Sequence, residues 1–138
     1  MTLLDTNILI HYLKGLESVV SRLQKASPRE VAVPSVVAYE IEYGTLKTRS
    51  PRRRAMVSEL LAGFAQVPFD HEAARQAARI RVELETQGLI IGPIDLLIAG
   101  TALSRDAVLA TGNTKEFSRL KGLRLADWTE SAAIIDSD

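Results

Sequence analysis

The stretch Leu3-Leu4-Asp5-Thr6-Asn7-Ile8-Leu9-Ile10 decides the fold class of this chain. Two apolar residues that end abruptly at polar ones predict a short buried strand over residues 2–5, and from Thr6 the apolar spacing becomes helical. A strand followed at once by a helix begins a β–α unit, in which successive strands run parallel. Asp5 then ends the first strand, and open sheets of this kind bind ligands beyond the carboxyl ends of their strands.

The same alternation of strands and helices continues through the chain. Further strands are predicted at residues 31–33, 66–69, 108–111 and 123–125, and helices from residue 6, after residue 15, and at 35–47, 51–65, 70–87, 94–104 and 114–120. We therefore expect an α/β fold with a mostly parallel five-stranded sheet flanked by helices on both faces. The length suits a single domain over residues 1–138, with a flexible tail after about residue 129.

The composition excludes several kinds of site. The chain is 46% apolar and 25% charged, and it has no cysteine and only two histidines, His11 and His71. A thiolate nucleophile and a cysteine-bound zinc are excluded, and a multi-histidine zinc site is disfavoured, so a metal here would be a hard cation held by carboxylates. The formal net charge is zero, so any nucleic-acid binding must depend on local charge.

The start of the chain and its apolar runs bear on location. An acid at position 5 with no basic residue before it is unlike a secretory signal peptide. No apolar run approaches the roughly 20 residues of a membrane helix. We therefore expect a cytoplasmic protein with no membrane association.

Asp5 and Asp95 each have two explanations. Asp5 can cap the helix that follows it, and on this pattern alone capping is as common a use of Asp as a site role. Asp95 follows Gly92-Pro93-Ile94 at the start of a helix, where the helix dipole alone favours an acid. That helix is apolar on almost every side, however, so its start should lie among buried elements and not in bulk water.

Glu40 has the strongest case from helical geometry. At about 100° per residue, Glu40 falls in the middle of an apolar helix face, whereas Glu42 falls on the opposite, solvated side. A carboxylate on a buried face is costly unless it is paired or binds a cation. A buried ion pair with an arginine is the alternative explanation. The apolar residues that define the face are Val36, Val37, Ile41 and Tyr43.

The three acids have a common explanation if they come together in the fold. Carboxylates gathered in one place raise each other's pKa, and a divalent cation removes this penalty. Mg²⁺ takes one or two carboxylates together with waters and phosphate oxygens. A cluster of Asp5, Glu40 and Asp95 would therefore suit metal-assisted phosphoryl chemistry.

Four segments, taken in order, resemble the PIN-domain ribonucleases and, within them, the VapC toxins of bacterial toxin–antitoxin pairs. Each motif is short, but the order and spacing of the four cover essentially the whole chain. The segments are residues 4–10 (LDTNILI), Pro34-Ser35 followed by residues 40–44 (EIEYG), residues 93–99 (PIDLLIA) and residues 109–117 (LATGNTKEF).

The resemblance implies a parallel sheet flanked by helices and an endoribonuclease that depends on Mg²⁺, with Mn²⁺ as a substitute. The family's main catalytic and metal-binding acids fall on Asp5, Glu40 and Asp95. Asn7 and Thr111 match polar positions that support these acids. The implied reaction is in-line attack of a metal-activated water on an RNA phosphodiester, and a tRNA cut in its anticodon region is the expected substrate.

The resemblance also shows one departure from the family pattern. Many relatives have a fourth acid where this chain has Asn113, so the implied site consists of three acids and an amide. We expect one firmly held metal and a second that arrives with RNA. Glu116 is close in sequence, and a solvent-facing role is left open for it.

Relatives form homodimers or toxin–antitoxin hetero-oligomers, and a cognate VapB-type antitoxin silences them with a peptide laid across the helices and the acidic pocket. The apolar residues available for such a groove are Ile8, Leu9, Tyr12, Leu16 and those of the helices between residues 36 and 64. Ordinary core packing explains many of these residues equally well.

The strongest run of positive charge is residues 47–54, between two predicted helices. It is interpreted either as an RNA-phosphate contact or as a solvated loop between helices. The candidates for RNA contact are Arg49, Arg52, Arg53 and Arg54.

Three other functions are weighed against the ribonuclease. An α/β phosphatase with Asp5 as its nucleophile usually has a second acid two residues later, where this chain has Asn7. A phospho-accepting signalling domain needs a lysine at the end of a later strand, and Thr111-Gly112-Asn113 offers none. A catalytically silent RNA- or partner-binding domain would have no need of the three acids.

Overall fold

The computed structural model describes residues 1–130, and residues 131–138, which hold most of the tail expected to be flexible, lie outside the described residues. The strands are β1 (Thr2–Leu4), β2 (Val31–Pro34), β3 (Ala65–Val67), β4 (Val108–Thr111) and β5 (Arg124–Asp127). The helices are α1 (Thr6–Leu13), α2 (Glu17–Lys25), α3 (Ser35–Thr48), α4 (Pro51–Ala62), α5 (His71–Thr86), α6 (Pro93–Ser104) and α7 (Thr114–Phe117).

The five strands form one all-parallel sheet in the order β3-β2-β1-β4-β5. The chain leaves the central strand β1 in one direction towards β2 and β3, and β4 and β5 lie on its other side. Right-handed crossovers in the two directions place helices on opposite faces of the sheet. The fold class predicted from the sequence is confirmed, and the strand order reverses between β1 and β4, which is where such sheets bind ligands.

The ends of some elements differ from the sequence prediction. The helix predicted over 51–65 ends at Ala62, because the chain turns at Gly63 to enter β3. The last strand, predicted over 123–125, runs further and ends at Asp127, where it pairs with Thr111 at the end of β4. This extension brings the chain after β5 close to the carboxyl end of the sheet.

The central strands are buried on both faces. The side chains of Leu3 and Leu4 in β1 and of Leu109 and Ala110 in β4 are fully buried. Continuous apolar character is what a parallel strand covered by helices on both faces requires. The polar residue that ends each of these strands therefore lies at the edge of a dry core.

Three expectations about surface and core need correction. Ile8 and Leu9 are fully buried, because they face the sheet from α1, and so they cannot line a surface groove. Tyr43 does not belong to the apolar face of α3, since its side chain is 56% exposed. Glu40 is accordingly half-buried at the edge of that face and not at its centre.

Helices α5 and α6 approach each other closely at Gly100. A Cβ built on Gly100 would lie 2.7 Å from the carbonyl oxygen of Ala73 and 2.8 Å from the Cβ of Ala77. Only a residue without a side chain allows this approach without a shift of backbone. The contact fixes the position of α6 and hence of Asp95 in its first turn.

Candidate active site

Asp5 is buried at the carboxyl end of β1, and both of its oxygens accept hydrogen bonds. Oδ1 accepts from the backbone N–H of Thr6 at 2.8 Å, so Asp5 does cap α1. Oδ2 accepts from the hydroxyl of Thr111 at 2.7 Å and from the amide of Asn7 at 3.2 Å. Burial raises the pKa of Asp5 in spite of these bonds, and the nearby charge of Glu40 raises it further. Asp5 can therefore cap α1 and belong to the acidic site at the same time.

Glu40 projects from α3 towards the start of α1. Its Oε1 accepts a hydrogen bond from the hydroxyl of Thr6 at 2.5 Å. Within residues 1–130 it forms no salt bridge, so the arginine ion pair considered from the sequence is not found there. Sequence reasoning missed Thr6 as a site residue, although its place directly after Asp5 at the start of a helix was a usable signal.

Asp95 lies in the first turn of α6 and is half-buried. Burial is the largest cause that raises its pKa to about 6, followed by the charges of Asp5, Glu116 and Glu40. Each of these causes disfavours the ionised form. The fold therefore brings Asp5, Glu40 and Asp95 into one region of negative charge, and it adds Glu116 to them.

The segment after β4 holds Glu116 in this region. The backbone N–H of Asn113 donates to the hydroxyl of Thr111 at 2.9 Å, and its side-chain amide donates to Oε2 of Glu116 at 2.9 Å. Glu116 is half-buried and adds to the negative charge around Asp95, so a purely solvent-facing role is wrong. The candidate site therefore contains four acids, and the side-chain amide of Asn113 donates a hydrogen bond to the fourth of them.

The donor set fits a hard divalent cation. Its charged groups are carboxylates, which are the ligands that Mg²⁺ and Mn²⁺ prefer. Across the described part of the chain, none of the four acids forms a salt bridge with Lys, Arg or His. No three of the acidic side chains in residues 1–130 converge tightly enough to hold an ion as they stand. Carboxylates without a compensating cation repel one another.

The chain after β5 is fastened beside the site. Arg22 of α2 donates from Nη1 to the carbonyl oxygens of Trp128 at 2.7 Å and Glu130 at 2.8 Å. These bonds hold Thr129 against Gly112, where a Cβ on Gly112 would lie 2.8 Å from Cγ2 of Thr129. The backbone N–H of Gly112 in turn donates to Oδ1 of Asn7 at 3.2 Å. The turn at residues 127–130 therefore braces the loop that carries Asn113 and Glu116.

We expect Gly112→Ala to lower the stability of the protein by about 1–3 kcal/mol, because the added methyl group overlaps Cγ2 of Thr129. Thr129→Ser removes that methyl group and keeps the hydroxyl that donates to Asp127. The double variant should recover most of the loss, and chemical denaturation of all four proteins measures this coupling. Additive losses in the double variant would show that the two residues are not in contact.

An apolar groove of about 350 Å³ lies between α1 and α4. Of the residues named from the sequence for an antitoxin groove, Tyr12 lines it, and so do Met56, Leu60 and Phe64 from the range 36–64. Ile8 and Leu9 belong to the core, and Leu16 lies elsewhere. The groove is lined by Tyr12, Leu13, Met56, Glu59, Leu60, Gly63 and Phe64.

The basic run joins α3 to α4. Arg49 adopts a left-handed backbone conformation between the helices, with φ of 55°. Ser50 caps α4, and Arg52, Arg53 and Arg54 occupy its first turn. Cations at a helix N-terminus oppose the helix dipole, so this arrangement does not serve the stability of α4. The Nε atom of Arg53 is buried, and no partner for it occurs within residues 1–130.

None of the helices within residues 1–130 is long and apolar enough to cross a membrane.

Comparison with known proteins identifies the family to which this fold and this group of acids belong. The PIN domain profile matches residues 2–123. The tRNA(fMet)-specific endonuclease VapC of Shigella flexneri is 36% identical over 128 residues, which cover 92% of this chain and 97% of that protein.

Two solved structures share the fold with TM-scores of 0.86. One is VapBC2 from Rickettsia felis bound to a DNA fragment from its promoter, with 32% identity over 92% of this chain and 98% of that one. The other is DNA-bound VapBC from Salmonella typhimurium, with 34% identity over 92% of this chain and 97% of that one. The chain therefore belongs to the PIN-domain family and, within it, to the VapC ribonucleases.

Proposed function

We propose that this protein is a metal-dependent endoribonuclease toxin that cleaves RNA, with a tRNA as its substrate. The observation that carries the proposal is the group of four carboxylates at the switch point of the sheet. Burial, together with the charges of the other three, raises the pKa of Asp95, and in the described part of the chain the four acids have no basic partner. A cluster of this kind is costly unless it binds cations together with an anionic substrate.

Asp5, Glu40 and Asp95 would hold Mg²⁺, or Mn²⁺ in its place, and Glu116 would supply the fourth carboxylate. When bound, the ion lowers the pKa of a water and neutralises charge that develops on the phosphate. Residues around the acids keep them in position for this task. Thr6 orients Glu40 through the hydrogen bond that its hydroxyl donates to Oε1 of Glu40.

Three further residues orient acids in the same way. Thr111 and Asn7 donate to Oδ2 of Asp5 and so fix the orientation of its carboxylate. Asn113 donates to Glu116 and thus acts through that acid. The resemblance places the amide of Asn113 in the site itself, and this proposal gives it a positioning role there.

The proposal extends to partners and location. A VapB-type antitoxin would neutralise the toxin, and the groove between α1 and α4 offers it an apolar surface. We further propose a cytoplasmic protein in which residues 1–138 act as one domain, and which forms a homodimer or a toxin–antitoxin hetero-oligomer. Structures of two relatives contain both a toxin and its antitoxin, which supports this assembly.

The test is cleavage of tRNA by the wild-type protein and by Asp5→Ala, each with and without Mg²⁺ or Mn²⁺. We expect cleavage by the wild type only when the metal is present, and no cleavage by the variant. Equal cleavage by both proteins would exclude the acids as the catalytic centre. Cleavage by neither protein under any condition would favour the catalytically silent RNA- or partner-binding domain.

Glu116 and Asn113 should differ in the size of their effects. We expect Glu116→Gln to lower cleavage about 100-fold and to raise the Mg²⁺ concentration needed for half-maximal activity. Asn113→Ala removes one hydrogen bond to Glu116, so we expect a loss of about tenfold. Titration of activity with Mg²⁺ measures both, with the exposed Glu42→Gln as the control. The same metal dependence in wild type and Glu116→Gln would remove Glu116 from the site.

Neutralising the basic run should weaken RNA binding without loss of stability. Replacing Arg52, Arg53 and Arg54 with Gln removes positive charge from the first turn of α4, where the helix dipole opposes it. Each phosphate contact that is lost should flatten the plot of log affinity against log salt by about 0.7 for single-stranded RNA. Binding measured over a salt series tests this, and an unchanged slope would assign the run to a solvated loop.

A further inference from the structure

Helix α3 carries a pair of exposed, stacked tyrosines beside the acidic site. The rings of Tyr39 and Tyr43 have centroids 6.4 Å apart and planes inclined by 22°, and the side chains are 60% and 56% exposed. The ammonium group of Lys47 lies 5.2 Å from the centre of the Tyr43 ring. These three residues, spaced four apart along the helix, are called the tyrosine stripe below.

Two members of the tyrosine stripe lie on the same side of α3 as Glu40. At about 100° per residue, Tyr43 lies about 60° and Lys47 about 20° around the helix from Glu40, whereas Tyr39 lies about 100° from it. The rise of about 1.5 Å per residue puts Tyr43 one turn and Lys47 two turns beyond Glu40. The stripe therefore leads from the acids to the basic run at residues 47–54.

Stability does not explain two large aromatic side chains left in solvent. Neither tyrosine belongs to the hydrophobic core. A contact between residues four apart on an exposed helix contributes little to folding. Aromatic rings that are more than half exposed can, however, stack with further flat groups, and every nucleic-acid base has such a face.

We propose that the tyrosine stripe is a stacking platform for unpaired bases of the RNA next to the cleaved phosphate, an inference that rests on the proposed ribonuclease function. Charge supports RNA as the occupant, because the stripe ends in Lys47 and continues into the arginines of the basic run. The exposed acid of the same helix, Glu42, lies about 140° around the helix from Lys47, so it does not face the basic end of the stripe. Aromatic faces combined with positive charge bind single strands with little regard to sequence. A duplex, whose bases are already stacked, gains nothing from the platform.

The experiment uses a single-stranded RNA that contains 2-aminopurine, whose fluorescence falls on stacking, and Asp5→Ala as background to prevent cleavage. Binding should quench the fluorescence. Tyr43→Ala and Tyr39→Ala should each raise the Kd about tenfold and abolish part of the quenching. Tyr43→Phe, which keeps the ring, should bind within twofold of the parent. Affinity for a duplex RNA should be the same in all variants.

The matched control is Leu46→Ala on the same helix, because Leu46 is 59% exposed and has no aromatic face. Stacking predicts an unchanged Kd for RNA in this variant. If the Tyr43→Ala variant binds RNA as tightly as its parent while the wild type cleaves RNA, the proposal that the stripe stacks RNA bases is wrong. The ribonuclease function is not affected by that result. If Tyr43→Ala and Leu46→Ala instead both weaken binding of an antitoxin peptide and leave RNA binding unchanged, the face docks a protein. A wild type that cleaves no RNA overturns both inferences.

Discussion

Asp95→Asn should lower the rate of RNA cleavage at least about 10³-fold and, at the same time, make the metal-free protein more stable at pH 7. The loss of activity follows because a neutral amide cannot replace a carboxylate that balances a divalent cation, and such an ion supplies several kcal/mol of transition-state stabilisation. The gain in stability follows because the ionised Asp95 is half-buried among the carboxylates of Asp5, Glu40 and Glu116. The same charge therefore serves activity and opposes folding.

The size of the gain follows from the pKa of Asp95. A rise from 3.8 to about 6 corresponds to about 3 kcal/mol. Screening by solvent at a half-buried group reduces this, so we expect Asp95→Asn to raise the free energy of unfolding at pH 7 by about 1–2 kcal/mol. Saturating Mg²⁺ should stabilise the wild type and reverse the order of the two proteins.

The sign of the pH dependence follows from the same raised pKa. Because the folded protein binds this proton more tightly than the unfolded chain, the contribution of Asp95 is fully present below about pH 4 and is lost as the pH rises through about 6. We expect the free energy of unfolding of the metal-free wild type to fall over this interval, and the curve of Asp95→Asn to fall less. The pKa of Asp5 is also raised, so some slope should remain in the variant.

Chemical denaturation in EDTA between pH 4 and pH 7 measures both effects. Glu42→Gln, an exposed acid on the far side of α3, is the control and should leave stability and cleavage unchanged. A variant Asp95→Asn that is less stable than the wild type without metal at pH 7 would show that the carboxylates do not repel one another. Full cleavage activity in this variant would remove Asp95 from the site.

Gly100→Ala should destabilise the protein by about 1–3 kcal/mol, although alanine is the better helix former. The added Cβ would lie within 3.0 Å of two backbone atoms, the carbonyl oxygen of Ala73 and the nitrogen of Ala77, so one of the helices must move. Since α6 carries Asp95 in its first turn, the shift should also reduce cleavage. Thermal or denaturant unfolding and a cleavage assay at a temperature where the variant is folded measure the two losses separately.

Gly44→Ala is the matched control. Gly44 lies within α3, is exposed, and a Cβ there would meet no atom within 4 Å. Alanine should therefore stabilise the protein at this position by about 0.5–1 kcal/mol. Equal effects of the two substitutions would show that intrinsic helix propensity, and not the contact between α5 and α6, decides the outcome at Gly100.

Local sequence patterns were sufficient for most of the fold. The abrupt change from Leu4 to Asp5 and the helical spacing after it predict the first β–α unit, because strand and helix periodicity are properties of neighbouring residues. The departures were confined to element ends such as Gly63 and Asp127, where contacts with the rest of the sheet decide how far an element runs. The exposed Tyr43 was misplaced for a similar reason, since periodicity alone does not show which helix face meets the sheet.

The sequence also identified three candidate acids, but it did not show how they are arranged in space. Asp5, Glu40 and Asp95 stand out because each has an unusual place in its own element, which a single chain reveals. Glu116 has no unusual place in its element. Its part in the site depends on the loop after β4, where Asn113 holds it near Asp95. Electrostatic interaction falls with distance between side chains and not with separation along the chain. For this reason the sequence by itself determined the fold class and three acids, whereas the fourth acid and the bracing of its loop by Thr129 were decided only by the tertiary structure.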